Sequence, residues 1–262
     1  MSALVLRTAA VFFMLLDHIG YATGNAVLRI VGRLSLPIFA FLIANGFRHT
    51  RSVPKYALRL AVFAFLSEIP FDLYFHGRVT LLTWRNAVPQ PQFDNIYFAL
   101  LLGLLFLWLR ALYQKYLPRI AWLCSIGTLL ICAYGAAFIS ADYGVFGVLW
   151  VALFGVLDVQ SKVQRIPLCF GVVLLSFWRI ICKSIFAYLG MLTPIPVFSA
   201  FFPTGVISFM DHIQPFAALA MLLLLFYNGK SGMPRSRTVK TVLQYAFYAF
   251  YPLHILVFWL VF

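Results

Sequence analysis

The sequence contains few charged residues, and acids are the scarcest: Asp and Glu number 7 in 262 residues, against 20 Lys and Arg. Charged residues make up 10% of the chain and hydrophobic residues 63%. A soluble protein of this composition would lack the polar surface that keeps it in water. The composition therefore excludes a soluble globular domain and indicates an integral membrane protein.

Cysteine is also scarce, and its positions do not form a motif. The four cysteines lie in apolar stretches at no spacing typical of metal ligands: Cys124, Cys132, Cys169 and Cys182. The sequence has no G-x-S-x-G elbow and no Cys-His arrangement of the kind that forms an acyl-enzyme. We therefore predict no metal site and interpret the cysteines as small packing residues.

Apolar stretches that can cross a bilayer recur along the whole chain. They lie at about 5–24, 28–47, 58–76, 95–112, 120–139, 143–158, 166–187, 214–228 and 242–262. The predicted fold is all-α, a polytopic transmembrane bundle of about nine (8–10) spans that forms one domain over residues 1–262. Prolines interrupt residues 188–213, which we predict to be a re-entrant or external loop, with room for a tenth element.

Lys and Arg are distributed unevenly between the predicted loops. With a cytoplasmic N-terminus, fourteen lie inside: Arg7, Arg48, Arg51, Lys55, Arg59, Arg110, Lys115, Arg119, Lys162, Arg165, Lys230, Arg235, Arg237 and Lys240. Six lie outside: Arg29, Arg33, Arg78, Arg85, Arg179 and Lys183. This positive-inside pattern predicts a cytoplasmic N-terminus. Basic loops beside anionic lipid, or an anionic cytoplasmic ligand, account for the net charge, and no nucleic-acid partner is predicted.

The acids and histidines are concentrated in the outer half of this topology. The positions inside or beside the spans are Asp17, His18, Arg33, Glu68, Asp72, Asp94, Asn95, Asp142, Tyr143, Asp211, His212 and His254. A charge near mid-bilayer costs at least about 2.5 kcal/mol, so such residues usually mark proton, ion or substrate sites. The alternative is that they form interhelical hydrogen bonds and ion pairs that only fix the packing.

His18 is the candidate general base. Asp17 and His18 are adjacent and diverge by about 100° on a helix, so each needs a partner on another span. Glu68 and Asp72 are four residues apart and share one helical face, where they can orient a histidine or a cation. A histidine held by a carboxylate takes a proton from an amine or hydroxyl nucleophile.

A dense group of cations follows the second span. Its members are Arg48, His49, Arg51, Lys55, Tyr56 and Arg59. This group is typical of a positive-inside loop, and it equally fits the capture of phosphate groups.

The order of these residues resembles the TraX family over nearly the whole chain. The N-terminal matches are MLLDHIG at 14–20, GRLSLPIFAF at 32–41, HTR at 49–51, KY at 55–56, RL at 59–60 and SEIPFD at 67–72. The later matches are DN at 94–95, DYG at 142–144 with Gly147, YNGK at 227–230 with Gly232, and FYPLH at 250–254. The pattern departs from the family at Asn45, where a carboxylate is common, and at Asp94, which precedes Asn95 where a neutral amide is frequent.

The resemblance implies a multi-pass acetyltransferase of the bacterial inner membrane, typified by the conjugative-pilus protein that acetylates the N-terminal amine of pilin. Acetyl-CoA is the implied donor. The family is also distantly similar to polytopic acyltransferases that modify extracytoplasmic sugars, so the implied acceptor is pilin or an envelope glycan. The motif positions carried over are Asp17, His18, Arg33, His49, Arg51, Lys55, Tyr56, Arg59, Glu68, Asp72, Asn95, Asp142, Tyr143 and His254.

Together, the residues and the resemblance give one hypothesis for the reaction. The candidate catalytic residues are His18, Asp17, Arg33, Glu68 and Asp72, with Arg33 stabilising an oxyanion or binding the acceptor. The candidate donor-binding residues are Arg48, His49, Arg51, Lys55, Tyr56 and Arg59. The candidate acceptor-binding residues are Asn95, Asp142, Tyr143 and His254. Direct transfer and a covalent acyl-histidine step both remain open.

Two other functional classes also remain open. A proton-coupled secondary transporter or channel would use the same intramembrane acids and histidines as a relay. The absence of a convincing inverted repeat between the halves weighs against it. A non-catalytic assembly factor of a pilus or secretion system is the third class, and it predicts no binding of CoA.

Overall fold

The structure is a computed structural model that describes residues 1–85, 88–188, 201, 203 and 205–262. The helices in chain order are α1 (Ala3–Thr23), α2 (Ala26–Gly32), α3 (Ser35–His49), α4 (Val53–His76), α5 (Ile96–Tyr116), α6 (Ala121–Phe138), α7 (Gly144–Val156), α8 (Lys162–Tyr188), α9 (Phe209–Ile213), α10 (Ala220–Leu225) and α11 (Arg237–Val261). A 3-10 helix, Gln214–Leu219, joins α9 to α10. Helices dominate, which confirms the predicted helical class.

The described part of the chain adds one feature that was not predicted. Strands β1 (Leu82–Arg85) and β2 (Val88–Pro91) pair as an antiparallel hairpin in the connection between α4 and α5. Most of the predicted loop at 188–213 lies outside the described residues, and α9 begins near its end.

Six helices of the described chain are long and apolar enough to cross a membrane by length and composition. They are Ala3–Thr23, Ala26–His49 (α2 and α3 together), Ile96–Tyr116, Ala121–Phe138, Lys162–Tyr188 and Arg237–Val261. Two predicted spans correspond to shorter apolar helical segments, Gly144–Val156 and Phe209–Leu225, and α4 is not among the six. Each predicted apolar stretch thus coincides with helix, while the count of about nine spans and the cytoplasmic N-terminus stay predictions.

The chain divides into two compact units, each built from two separate stretches of sequence. The first unit is Met1–Gly46 with Leu149–Gly232, and the second is Phe47–Val148 with Met233–Phe262. The prediction of a single domain over residues 1–262 stays a prediction.

In the first unit, α2 packs closely on α1. The side-chain oxygen of Asn25 caps α2 by accepting from the backbone N–H groups of Val27 and Leu28, at 3.0 and 3.2 Å. A Cβ atom on Gly32 would lie 2.6 Å from the Cα of Asp17, too close for any side chain. The absence of a side chain at position 32 therefore lets the end of α2 touch α1 beside Asp17.

In the second unit, α4 and α11 run parallel. Phe63 stacks on Tyr248 with ring centroids 5.2 Å apart, and about three turns later Tyr74 meets Phe258 at 6.1 Å. Helix α5 runs antiparallel to α4, because Asn95 at its start contacts Glu68 while Phe98 packs on Phe65 at 5.3 Å. This arrangement brings the start of α5 to the carboxyl end of α4.

Candidate functional sites

Asp17, a predicted catalytic residue, is held by two arginines in the first unit. Arg29 Nη1 donates to Asp17 Oδ2 at 2.8 Å, and Arg33 Nη2 donates to Asp17 Oδ1. The side chains are 12%, 13% and 3% exposed for Asp17, Arg29 and Arg33. Two of the predicted catalytic residues, Asp17 and Arg33, are thus brought together, and Arg29 is an additional member. Two guanidinium groups on one carboxylate leave a local excess of positive charge that can bind an anionic group.

His18 directly follows Asp17 in α1, and it is buried. Its side chain leaves the helix about 100° from that of Asp17, as predicted from their adjacency. An imidazole in such a place can carry a proton between an acceptor and a leaving group.

A second buried ion cluster of the first unit surrounds Asp211. Arg179 Nε and Lys183 Nζ each donate to one Asp211 oxygen at 2.7 Å, and the N–H and hydroxyl of Ser208 both donate at 2.8 Å. Burial by itself would raise the pKa of Asp211, but the hydrogen bonds from Lys183, Ser208 and Arg179 outweigh it and hold that pKa well below its usual range. Arg29 Nη2 also lies 3.2 Å from the sulfur of Met210, the neighbour of Asp211. Sequence reasoning did not pair these residues.

In the second unit, Glu68 and Asn95 tie α4 to the start of α5. Asn95 is fully buried; its amide donates to Glu68 Oε2 and to the carbonyl of Ala64 at 2.8 Å. Its side-chain oxygen accepts from the N–H of Tyr97 at 3.0 Å, and the other Glu68 oxygen accepts from the N–H of Asp94 at 2.7 Å. These bonds engage both ends of the Asn95 amide, so its contacts are structural, and its predicted role in acceptor binding stays a prediction.

Asp72 lies one turn beyond Glu68 and faces a histidine that was not predicted. His76 Nδ1 lies 3.3 Å from Asp72 Oδ1 and 3.6 Å from Asp94 Oδ2. The other oxygen of Asp72 accepts from the N–H of Thr80 at 2.6 Å. Burial raises the pKa of Asp94, His76 lowers it and the Asp72 carboxylate raises it, with a net increase above the usual value.

Asp142 and Tyr143 lie in the turn between α6 and α7. The N–H of Asp142 donates to the carbonyl of Asp94 at 2.7 Å, which brings this turn to the carboxyl end of α4. Tyr143 has a φ of 58°, in the left-handed region that a side chain rarely adopts. Such strain costs about 1–3 kcal/mol and is concentrated at functional sites, so this geometry is compatible with the predicted role in acceptor binding.

His254, the last predicted site residue, is buried in α11 among aromatic rings. Its Nδ1 lies 2.8 Å from the carbonyl oxygen of Phe250, and its ring stacks on Phe250 with centroids 5.0 Å apart. Because a carbonyl can only accept, Nδ1 carries the hydrogen. Nε2 is then the ring nitrogen that can accept a hydrogen bond when the ring is neutral.

The predicted donor-binding group lies at the opposite end of the second unit from the acids at the carboxyl end of α4. All six residues lie at the end of α3 and the start of α4. Four are exposed: Arg48, His49, Arg51 and Lys55. Arg59 is half-buried, and its guanidinium lies 5.8 Å from the ring of the buried Tyr56. Because α11 runs parallel to α4, its first turns, with Arg237 and Lys240, lie at the same end. About 20 Å of helix separates Arg59 from Asp72 at 1.5 Å per residue.

The fold and these clusters define a helical protein with membrane-type spans, buried ion clusters and a cationic end. Comparison with known sequences gives the family. The sequence model described as TraX protein matches residues 2–262, so the chain belongs to the TraX family.

The chain is also similar to a protein named for fimbrial assembly. It is 29% identical over 273 residues to the probable fimbrial assembly protein FimC, serogroup H1, of Dichelobacter nodosus. The match covers 97% of this chain and 93% of that protein. No solved structure matches.

Proposed function

We propose that this protein is an acetyltransferase of the bacterial inner membrane, which transfers the acetyl group of cytoplasmic acetyl-CoA to an amine or hydroxyl at the outer side. The acceptor is the N-terminal amine of a pilin-like subunit or an envelope glycan, and the fimbrial assembly name of the relative favours the pilin. The observation that carries the proposal is that buried His18 directly follows Asp17, whose carboxylate two arginines hold within an apolar helix.

The donor binds at the cationic end of the second unit. CoA carries several phosphate groups, and exposed Arg and Lys side chains bind phosphate through charge-assisted hydrogen bonds. Arg48, Arg51 and Lys55 are exposed there. With a cytoplasmic N-terminus, this end faces the compartment that supplies acetyl-CoA.

The acceptor attacks the thioester directly. His18 removes the proton from the acceptor nitrogen or oxygen as that atom bonds to the thioester carbonyl carbon. The carbon–sulfur bond then breaks, and the proton passes from His18 to the CoA sulfur, which gives CoA thiol and an acetylated amine or hydroxyl. Arg33 stabilises the oxyanion that forms on the carbonyl oxygen. Asp17 holds Arg33 in place through their ion pair.

The test uses the purified full chain in liposomes with acetyl-CoA labelled in the acetyl group. Release of CoA and transfer of label to added pilin or envelope glycan are measured for the wild type and for His18→Gln. We expect the substitution to lower both rates by at least about 100-fold, the contribution typical of a general base. His212→Gln, which changes an exposed histidine of the same unit, is the matched control and keeps the wild-type rate.

Binding of the donor is measured separately by equilibrium dialysis of labelled CoA. We expect His18→Gln to bind CoA as the wild type does and the double variant Arg51→Ala/Lys55→Ala to bind it more weakly, most clearly at low salt. A wild-type protein that neither binds CoA nor releases it from acetyl-CoA would refute the acetyltransferase proposal.

The name of the relative supports a second candidate, a fimbrial assembly factor without catalysis. Such a protein would bind a pilin-like subunit, and its function would survive His18→Gln. Assembly of pili that depends on the protein but is unchanged by this substitution would favour the second candidate over the first.

A further inference from the structure

We propose that Asp72, His76 and Asp94 of the second unit form a binding site for one divalent transition-metal ion of the size of Zn²⁺. One ligand atom from each residue lies within 4.8 Å of the other two. The site is distinct from the acetyl-transfer residues of the first unit, and its existence does not depend on acetyl transfer.

The distances between the ligand atoms fit coordination of such an ion. Zn²⁺ binds nitrogen and oxygen at about 2.0–2.2 Å in tetrahedral geometry, which places neighbouring ligand atoms about 3.4 Å apart. His76 Nδ1 lies 3.3 Å from Asp72 Oδ1 and 3.6 Å from Asp94 Oδ2. A single ion between these atoms requires only small side-chain movements.

The scaffold fixes two of the three ligands. Asp72 is fully buried, and its second oxygen accepts from the N–H of Thr80 at 2.6 Å, which leaves Oδ1 directed at His76. The backbone of Asp94 is held on both sides, by its N–H to Glu68 at 2.7 Å and by its carbonyl to the N–H of Asp142 at 2.7 Å. Hydrogen bonds of this kind orient the ligands of a metal in known sites.

One carboxylate oxygen of Asp94, Oδ1, is buried without a hydrogen-bond donor among the described residues. Buried carboxylate oxygens are normally satisfied by donors or by a cation, because an unsatisfied one loses its solvation without compensation. In the described chain, His76 is the one basic side chain within ion-pair distance of Asp72 and Asp94. An imidazole can carry at most one positive charge, which is too little to balance two carboxylates. A divalent cation balances both.

The ligand types select the class of ion. One imidazole nitrogen with two carboxylates favours Zn²⁺, Mn²⁺ or Fe²⁺ over Ca²⁺ and Mg²⁺, which prefer oxygen ligands alone. The side chain of His76 is 43% exposed, so a fourth position on the ion is open to water or to a ligand from solution. The ion would join the end of α4 to the segment that precedes α5.

The test measures Zn²⁺ on the full protein after removal of bound metal with a chelator. The protein in detergent is dialysed against micromolar Zn²⁺, and bound zinc per chain is counted by elemental analysis. We expect one Zn²⁺ in the wild type, and at least tenfold weaker binding in Asp94→Asn and in His76→Gln. Asp158→Asn and His212→Gln, which change the same residue types in the first unit, keep the wild-type stoichiometry.

A fifth variant separates loss of a ligand from loss of structure. His76→Cys replaces the imidazole with a thiolate, which is itself a zinc and cobalt ligand. With Co²⁺ as the probe, this variant should show thiolate-to-cobalt charge-transfer absorption that the wild type lacks, while Asp94→Asn/His76→Cys shows a weakened band. Absence of Zn²⁺ binding by the wild type at micromolar concentration, or unchanged binding in both single variants, would overturn the proposal.

Discussion

Replacement of Asn95 by Ala should destabilise the protein far more than loss of an ordinary helix cap. The amide of Asn95 makes three hydrogen bonds, to the N–H of Tyr97, to the carbonyl of Ala64 and to the carboxylate of Glu68. A cap contributes about 1 kcal/mol, a neutral buried hydrogen bond about 1 kcal/mol and one to a charged group about 1.5–3 kcal/mol. We therefore expect Asn95→Ala to lower the free energy of unfolding by about 4 kcal/mol.

The matched control is Asn25→Ala. Asn25 is exposed, and its side chain caps α2 by accepting from the N–H groups of Val27 and Leu28. We expect this variant to lose only about 1 kcal/mol. Both free energies are measured by reversible unfolding in mixed detergent micelles, followed by far-ultraviolet circular dichroism. If Asn95→Ala costs no more than Asn25→Ala, the assignment of Asn95 as the link between α4 and α5 is wrong.

Two further predictions concern the first unit. The pKa of Asp211 lies below its usual value of 3.8 in the folded protein, so its ionised form stabilises the fold above about pH 4 and this contribution is lost as the pH falls. The difference in melting temperature between wild type and Asp211→Asn should therefore be largest at neutral pH and shrink below pH 4; a difference that is constant with pH contradicts this account. Gly32→Ala should destabilise the protein by about 1–3 kcal/mol because the new Cβ meets the backbone of Asp17. Gly127→Ala is the control: a Cβ there meets no atom within 4 Å, and alanine favours the helix, so thermal unfolding should occur at a higher temperature.

The existence of the helices could be predicted from the sequence because the apolar stretches are long enough to cross a membrane. There the backbone N–H and C=O groups have no water to bond to, and a helix satisfies them within the segment. The sequence predicted that Asp17 needs a partner on another span, but it did not identify Arg29 and Arg33 as the partners. Burial of an acid demands a partner, but which cation supplies it depends on how α2 packs against α1. The hairpin between α4 and α5 carries no strong turn signal, and it was missed.

The basic residues that sequence reasoning missed share one simple signal. Arg29 is four residues before Arg33, His76 is four residues after Asp72, and Lys183 is four residues after Arg179. Residues at this spacing share a helical face. Arg29 therefore reaches the same carboxylate as Arg33, and Lys183 the same one as Arg179. His76 reaches Asp72 itself. The partners that come from other helices, Asp94 and Asp211, could not be predicted in this way, because their positions depend on tertiary packing.

The parallel pairing of α4 and α11 has a topological consequence. Two helices that cross a bilayer in the same direction are separated by an odd number of crossings, because each crossing reverses the direction of the chain. Four helices, α5 to α8, lie between them before α9 begins. If α4, α11 and these four helices all cross, the number of crossings between α4 and α11 is odd only when the segment Phe209–Leu225 crosses as well. The cationic end of the second unit and the end with the acids then lie at opposite faces of the membrane.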